Sequence, residues 1–423
     1  MAHIKATNTP PAKVLKNFAA LMFFILGMAA LNAKTAAWKG PEQFVLINGI
    51  DMEYNWAAIR EHFGPMEGKK IAVGGAFIVY CFERDENFLE EEIREHLKQA
   101  QENVLPVLVQ LDTITFMTAR PDLWNWWDES KPGYNPENVS NVEWTGWSPK
   151  DAVKIGWLNW GRQIRLHPMP NLASPQYRAE SERLLKRYMN VVKEWHDALP
   201  ADKKWLLVGV KIMGEIYFGA NNFYYPDGNK YVDEAPENDP AKLPSATDLP
   251  SRSMQTIGYA ALKAWGMKDS GEITAADIFA IEKKHSLLLS EFAAKLGLFP
   301  REMLFSHASG AGGDLDSCVN GFVSPSWSFY NNERSGDATH PAKAAEAKVF
   351  YEKSDAPWFG VSEWSLGEDS PDWTPALKEA LAMPKCRFIS IYANVVGSDI
   401  FHFKPNLRAI ESIRKAVAES ETN

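Results

Sequence analysis

Short apolar runs and longer amphipathic stretches alternate along the chain from about residue 69 to its end. The apolar runs are typical of buried strands, and the stretches between them place apolar residues at helical spacing. This alternation is typical of parallel βα units. Eight strands are predicted, at residues 70–82, 105–111, 152–166, a run ending at 215, 302–307, 321–329, 358–363 and 387–394.

The helices predicted between these strands have recognisable ends. Residues 86–101 form a charged stretch with apolar positions at helical spacing. Ser174 followed by Pro175 predicts an N-cap and a first helical residue, and that helix continues to about residue 199. Further helices are predicted at 254–265, 275–296, 341–353, 373–382 and 406–419.

Eight βα units predict a fold of the α/β class, a single (β/α)8 barrel (TIM barrel) over residues 69–423, with segment 34–68 packed on it. A doubly wound open sheet is the alternative. That fold usually has a glycine-rich turn after its first strand, whereas Gly74 and Gly75 fall inside the first predicted strand. A long insertion rich in Pro, Asp and Asn, at about 221–252, follows strand four, and loops of this length are usually functional or disordered.

The first 33 residues have the layout of a secretory signal peptide. Lys5, Lys13 and Lys16 precede an apolar run at residues 18–31, and small residues follow it. The run is shorter than the roughly 20 apolar residues that span a membrane, so a retained anchor is the minor alternative. The sequence therefore predicts a secreted or periplasmic protein with no membrane association after cleavage.

Composition narrows the function classes. A net charge of -9 argues against a nucleic-acid partner, since such proteins carry a basic surface that displaces counterions from phosphates. With 423 residues and 45% hydrophobic content, the chain can bury a large core. The three cysteines are far apart in sequence and lie in or beside apolar runs, so we expect buried thiols. A single disulfide between two of them is the alternative.

Two glutamates, Glu215 and Glu363, end apolar runs that are predicted to be strands four and seven. Burying an unpaired carboxylate is costly, so such an acid is usually paired, hydrated or chemically active. In a barrel the carboxyl ends of all strands converge on one face, so the two acids can meet although 363 - 215 = 148 positions separate them. Glycoside cleavage requires a pair of carboxyl groups on either side of the bond.

On these two glutamates and the strand order, the chain resembles glycoside hydrolase clan A, the barrel glycosidases whose acid/base ends strand four and whose nucleophile ends strand seven. The resemblance implies that Glu215 is the acid/base and Glu363 the nucleophile of a retaining mechanism, with carboxyls about 5 to 5.5 Å apart. It does not identify a family within the clan. Many members have Asn before the acid/base, where this chain has Gly214, so the hydrogen bond of that Asn to the sugar must be absent or supplied from elsewhere.

Aromatic and polar residues near the strand ends are candidates for binding sugar, since a sugar ring has an apolar C–H face and polar edges. Arg165 is a further candidate that would keep the nucleophile ionised, or would only pair with a neighbouring acid. For any single tryptophan, core packing is the alternative. The predicted substrate-binding set is His307, Trp327, Tyr392, Asn394, Trp364, Tyr217, Asn221, Asn222, Arg165 and Asn171, with Asp112 at the mouth and Trp124, Trp126 and Trp127 in the loop after strand two of the prediction.

Other chemistries are disfavoured. Asp314 and Asp316 have metal-like spacing, but no calcium-loop pattern follows, and no metal or cofactor is predicted. No Gly-x-Ser-x-Gly occurs, which argues against an esterase. The sequence thus predicts a secreted retaining glycosidase that acts on an oligo- or polysaccharide, and the resemblance to clan A implies a β-linked substrate. The alternatives are a carbohydrate-binding barrel without turnover and a transglycosylase that uses the same pair.

Overall fold

The computed structural model describes residues 40–48, 55–154, 156–159, 163–216, 218, 256–308, 316–330, 338–367, 370–397 and 402–422. The predicted signal peptide and the insertion at 221–252 lie outside these ranges, as do Tyr217, Asn221 and Asn222. Within the described ranges no helix is both long and apolar enough to cross a membrane.

The described strands are β1 (Gln43–Asn48), β2 (Ile71–Tyr80), β3 (Val107–Asp112), β4 (Gly156–Asn159), β5 (Gln163–Leu166), β6 (Leu207–Lys211), β7 (Leu304–Phe305), β8 (Ser326–Tyr330), β9 (Phe359–Ser365) and β10 (Cys386–Tyr392). The described helices are α1 (Trp56–Phe63), α2 (Glu86–Glu102), α3 (Pro121–Trp124), α4 (Pro175–Ala198), α5 (Tyr259–Ala264), α6 (Ala275–Lys295), α7 (Ala345–Lys353), α8 (Thr374–Leu381) and α9 (Leu407–Glu421).

Eight of these strands form one parallel sheet, in the order β7, β6, β3, β2, β1, β10, β9, β8. Its two end strands also meet. Phe305 forms a parallel bridge with Ser324, the Ser324 N–H donates to the Leu304 carbonyl at 2.8 Å, and the Ala308 N–H donates to the Ser326 carbonyl at 2.8 Å. The sheet therefore closes into a barrel with helices between the strands, and the predicted (β/α)8 fold is confirmed.

The structure corrects the sequence prediction at two strands. The first barrel strand is β1, which lies in the segment that was predicted only to pack on the barrel, and it pairs in parallel with β2 and β10. The third predicted strand, at 152–166, is instead the antiparallel hairpin of β4 and β5, outside the barrel. A short buried strand and a hairpin give similar apolar runs, so hydrophobic periodicity does not separate them. The two errors offset each other, and the numbering from strand four onward is correct.

Several local predictions are confirmed. The Ser174 hydroxyl accepts a hydrogen bond from the Tyr177 N–H at 3.3 Å, and Pro175 is the first residue of α4. Serine satisfies one of the N–H groups that a helix leaves unpaired at its start, and proline has no N–H to satisfy. The three cysteines are free, buried thiols. Burial raises the pKa of both Cys318 and Cys386 to about 12, so these thiols stay protonated at neutral pH.

Candidate active site

The two glutamates belong to barrel strands that are separated by β7 and β8. Glu363 is on β9, where it pairs in register with Ser328 of β8. Glu215 follows β6, four positions after Lys211, the last residue of that strand. Both side chains are half-buried. Each position differs by a few residues from a strict strand end, because β6 ends before Glu215 and β9 continues to Ser365.

A buried lysine connects the two acids. Lys211 is only 2% exposed. Burial lowers the pKa of Lys211, while the negative charges of Glu363, Asp112 and Glu215, in that order, oppose the shift. An ammonium group responds to charges only over short distances in a protein. The charges of both glutamates therefore act on one buried amino group.

A chain of three hydrogen bonds runs from this lysine to Glu363. Lys211 Nζ lies 3.1 Å from His307 Nδ1, His307 Nε2 lies 2.7 Å from Ser328 Oγ, and the Ser328 hydroxyl donates to Glu363 Oε2 at 3.1 Å. Burial and then the charge of Lys211 lower the pKa of His307 well below 6.5, so its imidazole is neutral. With the lysine as donor to Nδ1, the proton of the ring lies on Nε2 and is donated to Ser328. Each donor in this series of hydrogen bonds then has an acceptor, from Lys211 to Glu363.

Asp112 occupies the space in front of Gly214. Its carboxylate accepts hydrogen bonds from the N–H groups of Ile114 at 2.7 Å and Thr115 at 2.9 Å, and from the Thr115 hydroxyl at 2.9 Å. A Cβ atom on Gly214 would lie 2.1 Å from Asp112 Oδ2. A side chain before Glu215 is therefore incompatible with this carboxylate, which is the physical reason for glycine where many clan A members have asparagine.

Two tyrosines lie beside the acids. Tyr80, at the end of β2, is 7% exposed. Burial raises its pKa well above 10, and the charges of Asp112, Tyr392 and Glu363 raise it further. Tyr392, at the end of β10, is half-buried and belongs to the predicted substrate-binding set. The phenol of Tyr80 therefore stays protonated at neutral pH and is a hydrogen-bond donor.

Two of the predicted sugar-binding tryptophans lie in the core instead. Trp327 is 1% exposed and packs edge-on against Phe350 of α7, with ring centroids 5.0 Å apart. Trp364 is 0% exposed, packs edge-on against Trp373 at 5.5 Å, and donates from Nε1 to the Ala338 carbonyl at 3.1 Å. Neither side chain offers a surface to a substrate. Both lie on the helix-facing side of their strands, because neighbouring residues of a strand face opposite sides of the sheet.

The predicted asparagines stabilise loops. Asn394 accepts a hydrogen bond from the Gly397 N–H at 3.0 Å. Asn171 is 3% exposed and accepts a hydrogen bond from the Ala173 N–H at 3.0 Å. Both contacts are side-chain turns of the kind that asparagine favours. Arg165 lies on β5, in the hairpin and not at the end of a barrel strand, so the cation that the structure describes beside the two glutamates is Lys211.

The acidic pair with metal-like spacing has another explanation. Asp316 forms ion pairs with Lys353 at 2.8 Å and Lys283 at 3.6 Å, and Asp314 lies outside the described residues. Among the residues that the structure describes, no three His, Cys, Asp or Glu side chains come together as a metal site would require. Asp316 is therefore accounted for by two surface lysines.

The sequence contained a signal for Lys211 that our prediction did not use. It is the single charged residue in the apolar run at 206–213, which directly precedes Glu215. Lysine is almost never fully buried unless it is paired, so a lysine in a buried strand predicts nearby acids. Ser328 and Tyr80 were also missed, and nothing distinguishes them from other strand residues before their register is known.

No family model matches the chain, and no curated protein sequence matches it. Solved structures do align with it, and three of them share 10% identity with this chain. A ruminal GH26 endo-β-1,4-mannanase has a TM-score of 0.42 and is aligned over 90% of this chain and 63% of its own. The α-galactosidase from Lactobacillus brevis has a TM-score of 0.37, with 90% and 41% aligned, and a chitobiase from Flavobacterium johnsoniae has 0.35, with 91% and 51%.

The chain therefore spans less than two thirds of the length of each of these structures. Likeness at this level carries no argument about substrate or mechanism, so both rest on the residues of this chain. The fold and site define a closed (β/α)8 barrel with one glutamate beyond strand four and one on strand seven. This is the arrangement that the resemblance to clan A implies.

Proposed function

We propose that this protein is a glycoside hydrolase that cleaves a β-linked oligo- or polysaccharide with retention of configuration. Glu363 is the nucleophile and Glu215 the general acid/base. The observation that supports this assignment is the position of the two acids in the closed barrel, with Glu215 beyond β6 and Glu363 on β9. Two carboxyl groups at the carboxyl end of a barrel are what the reaction requires.

In the first step, the carboxylic acid of Glu215 gives its proton to the glycosidic oxygen while a carboxylate oxygen of Glu363 attacks the anomeric carbon. The bond from the anomeric carbon to the leaving oxygen breaks, and an ester between the sugar and Glu363 forms.

In the second step, Glu215 acts as a base. Its carboxylate takes a proton from water, the water oxygen attacks the anomeric carbon, and the ester bond to Glu363 breaks. The nucleophile leaves as the same carboxylate that entered. The Ser328 hydroxyl holds Oε2 of Glu363 throughout, at 3.1 Å, which leaves Oε1 to form the bond and fixes the orientation of the carboxylate.

The test is a panel of activated aryl β-glycosides and polysaccharides, measured with wild type, Glu215→Gln and Glu363→Gln. We expect the wild type to hydrolyse at least one substrate and each variant to lose at least about 10²-fold to 10⁴-fold in rate. Glu83→Gln is the matched control, since Glu83 is a half-buried acid shortly after β2, and it should keep its activity. NMR of the first product should give the anomer of the substrate.

Each other outcome has a distinct meaning. Binding of glycans without hydrolysis by the wild type would replace the proposal with a carbohydrate-binding barrel. Transfer to a sugar acceptor instead of water would define a transglycosylase with the same two residues. An inverted anomer would contradict the assignment of Glu363 as nucleophile, since inversion uses both carboxyl groups as acid and base only.

We also propose that residues 1–33 direct export and are removed, as their sequence pattern indicates. Expression of the full chain in a bacterial host, followed by N-terminal sequencing of the exported protein, tests this. A mature protein that begins near residue 34 supports it. A protein that stays in the cytoplasm with its first residues intact contradicts it.

A further inference from the structure

A cavity of about 220 Å³ lies in the loop that follows β3, against the hairpin strand β5. No step of the proposed reaction uses it. We call it the aromatic pocket, and the residues that carry the argument are Phe116, Trp124, Trp127, Lys131, Lys154 and His167. Since a water molecule takes about 30 Å³ of the liquid, the pocket has room for roughly seven waters, or for one sugar ring.

The walls of the aromatic pocket are flat and rigid. Trp124 and His167 stack with ring centroids 4.0 Å apart and an angle of 14° between their planes. The Trp124 Nε1–H donates to the Met117 carbonyl at 2.8 Å, so this ring is fixed in position. Trp127 lines the pocket as well. Flat aromatic faces suit the apolar C–H face of a sugar ring.

Two lysines give the pocket a positive charge in a protein whose net charge is -9. Lys131 Nζ lies 5.6 Å from the centroid of Trp127, and Lys154 Nζ lies 5.8 Å from that of Trp126. Lys131 also forms a surface ion pair with Asp128 at 3.1 Å. The negative face of an aromatic ring attracts a cation, so these contacts hold both ammonium groups beside the pocket. The pocket therefore favours a ligand that joins a ring to a negative group.

The loop that carries Trp127 and Lys131 is held in place by one buried side chain. Asn125 is 0% exposed, and its Nδ2 donates to the carbonyls of Asp128 and Pro132 at 3.0 Å and of Lys131 at 3.2 Å. Its Oδ1 accepts from the Asp128 N–H at 3.0 Å. The pocket is thus formed before a ligand arrives, which lowers the entropy lost on binding.

The aromatic pocket adjoins the mouth of the barrel. Phe116 lines the pocket and packs edge-on against Tyr80, with ring centroids 4.7 Å apart. Tyr80 in turn lies within the electrostatic influence of Glu363. Phe116 has a φ of 54°, in the left-handed region that bulky residues rarely adopt, and such strain is concentrated at functional sites. The aromatic pair of Phe116 and Tyr80 therefore connects the pocket with the carboxyl end of β2, at the mouth of the barrel.

We propose that the aromatic pocket is a subsite for an anionic sugar unit, with a carboxylate or sulfate group, of the glycan that is cleaved at Glu215 and Glu363. Its role as part of a substrate site rests on the proposed function, but its binding preference does not. Trp127 and the stacked ring of Trp124 contact the sugar, and Lys131 and Lys154 contact its negative group.

The test is a titration followed through the indole ¹H–¹⁵N NMR signals, with the Trp127 signal assigned by its loss in Trp127→Phe. The ligands are methyl glycosides of glucuronate, galacturonate and mannuronate, the 6-sulfated hexoses, and the neutral parent hexoses. We expect the Trp127 signal to shift, and the best anionic ligand to bind about fivefold more tightly than its neutral parent, which is the most that one partly exposed ion pair provides. The difference between uronate and sulfate identifies the negative group.

The double variant Lys131→Ala/Lys154→Ala should reduce this preference to about one. Lys284→Ala is the matched control, because it removes a lysine held 4.9 Å from the centroid of Trp265, away from the pocket. Equal affinity for neutral and anionic ligands, a preference unchanged in the double variant, or no shift of the Trp127 signal would each overturn the proposal.

These results are independent of catalysis, since binding is measured without turnover. If Glu215→Gln and Glu363→Gln keep full hydrolysis while the pocket shows its preference, the proposed function fails and the binding site stands. If both variants lose hydrolysis but the pocket shows no preference, the subsite fails and the proposed function stands.

Discussion

The close approach of Gly214 to Asp112 gives a sharp prediction about the architecture of the mouth. In Gly214→Ala the new Cβ would lie 2.1 Å from Oδ2 and 2.3 Å from Cγ of Asp112, where ordinary contacts are 3.4–4 Å. The carboxylate must move by more than about 1 Å to relieve this overlap. It then leaves the donors of Ile114 and Thr115, which now hold it at 2.7–2.9 Å.

The magnitude follows from those contacts. Each hydrogen bond to a charged group contributes about 1.5–3 kcal/mol, and overpacking adds about 1–3 kcal/mol. We expect Gly214→Ala to lower the free energy of unfolding by about 3–5 kcal/mol, since part of the network re-forms. Asp112→Ala should lower it by about 2–3 kcal/mol, because buried donors remain unpaired. The double variant should be no less stable than Asp112→Ala alone, because without the carboxylate the new methyl group fits.

Chemical denaturation followed by tryptophan fluorescence measures all four free energies of the cycle. The expected coupling between the two positions is about 3–5 kcal/mol, which is the loss that Gly214→Ala causes when Asp112 is present. Additive losses in the double variant would refute the argument that Asp112 fills the space in front of Gly214. A fully stable Gly214→Ala would refute it as well.

Three further predictions concern pH, catalysis and a buried acid. Burial lowers the pKa of His96 from 6.5 to about 4, so the unfolded chain takes up a proton at a higher pH than the folded chain does. The free energy of unfolding therefore has its full value above about pH 6.5 and falls, through this histidine, as the pH is lowered to about 4. When the pH is lowered from about 7 to about 5, the free energy of unfolding of His96→Gln should therefore fall by about 2 kcal/mol less than that of wild type, as denaturation experiments measure. Ser328→Ala removes the hydrogen bond to Glu363 and should lower kcat/KM at least about tenfold in steady-state assays. Glu143→Ala should lower the free energy of unfolding by about 3 kcal/mol in guanidinium titrations, because its carboxylate accepts from three N–H groups at the start of α5, those of Gly258, Ala260 and Ala261.

Controls separate these effects from general damage. Equal losses of stability in wild type and His96→Gln would contradict the pH argument. Ser326→Ala removes a buried hydroxyl that bonds Ser362 and not Glu363, so it should keep kcat/KM, and an equal loss in both serine variants would contradict the specific role of Ser328. Glu143→Gln keeps an acceptor and should lose less stability than Glu143→Ala; the opposite order would contradict the capping role.

The sequence predicted the barrel and the two acids because both depend on local patterns. Apolar runs identify buried strands, and an acid that follows such a run is conspicuous at Glu215 and Glu363. Strand one escaped prediction because β1 is a six-residue run without a distinguishing neighbour, and the hairpin of β4 and β5 resembled a strand for the same reason. Pairing partners distinguish these cases, and pairing is not a local property.

The rest of the site depended on which side of each strand a residue faces. Barrel strands are buried on both faces, so their sequences lack the alternation that separates inward from outward positions. Trp327 and Trp364 therefore looked as suitable as Ser328, yet the tryptophans face the helices and the serine contacts Glu363. The exception is Lys211, whose charge in an apolar strand marked it for an acidic environment.

Covalent trapping tests the central claim most directly. A 2-deoxy-2-fluoro glycoside of the sugar that the panel identifies, with an activated leaving group, slows the second step and accumulates the sugar ester. Mass spectrometry of the intact protein and of its peptides should show one sugar, attached to Glu363. A sugar on another carboxylate such as Asp112, or turnover of the natural substrate with no trapped ester, would contradict the account.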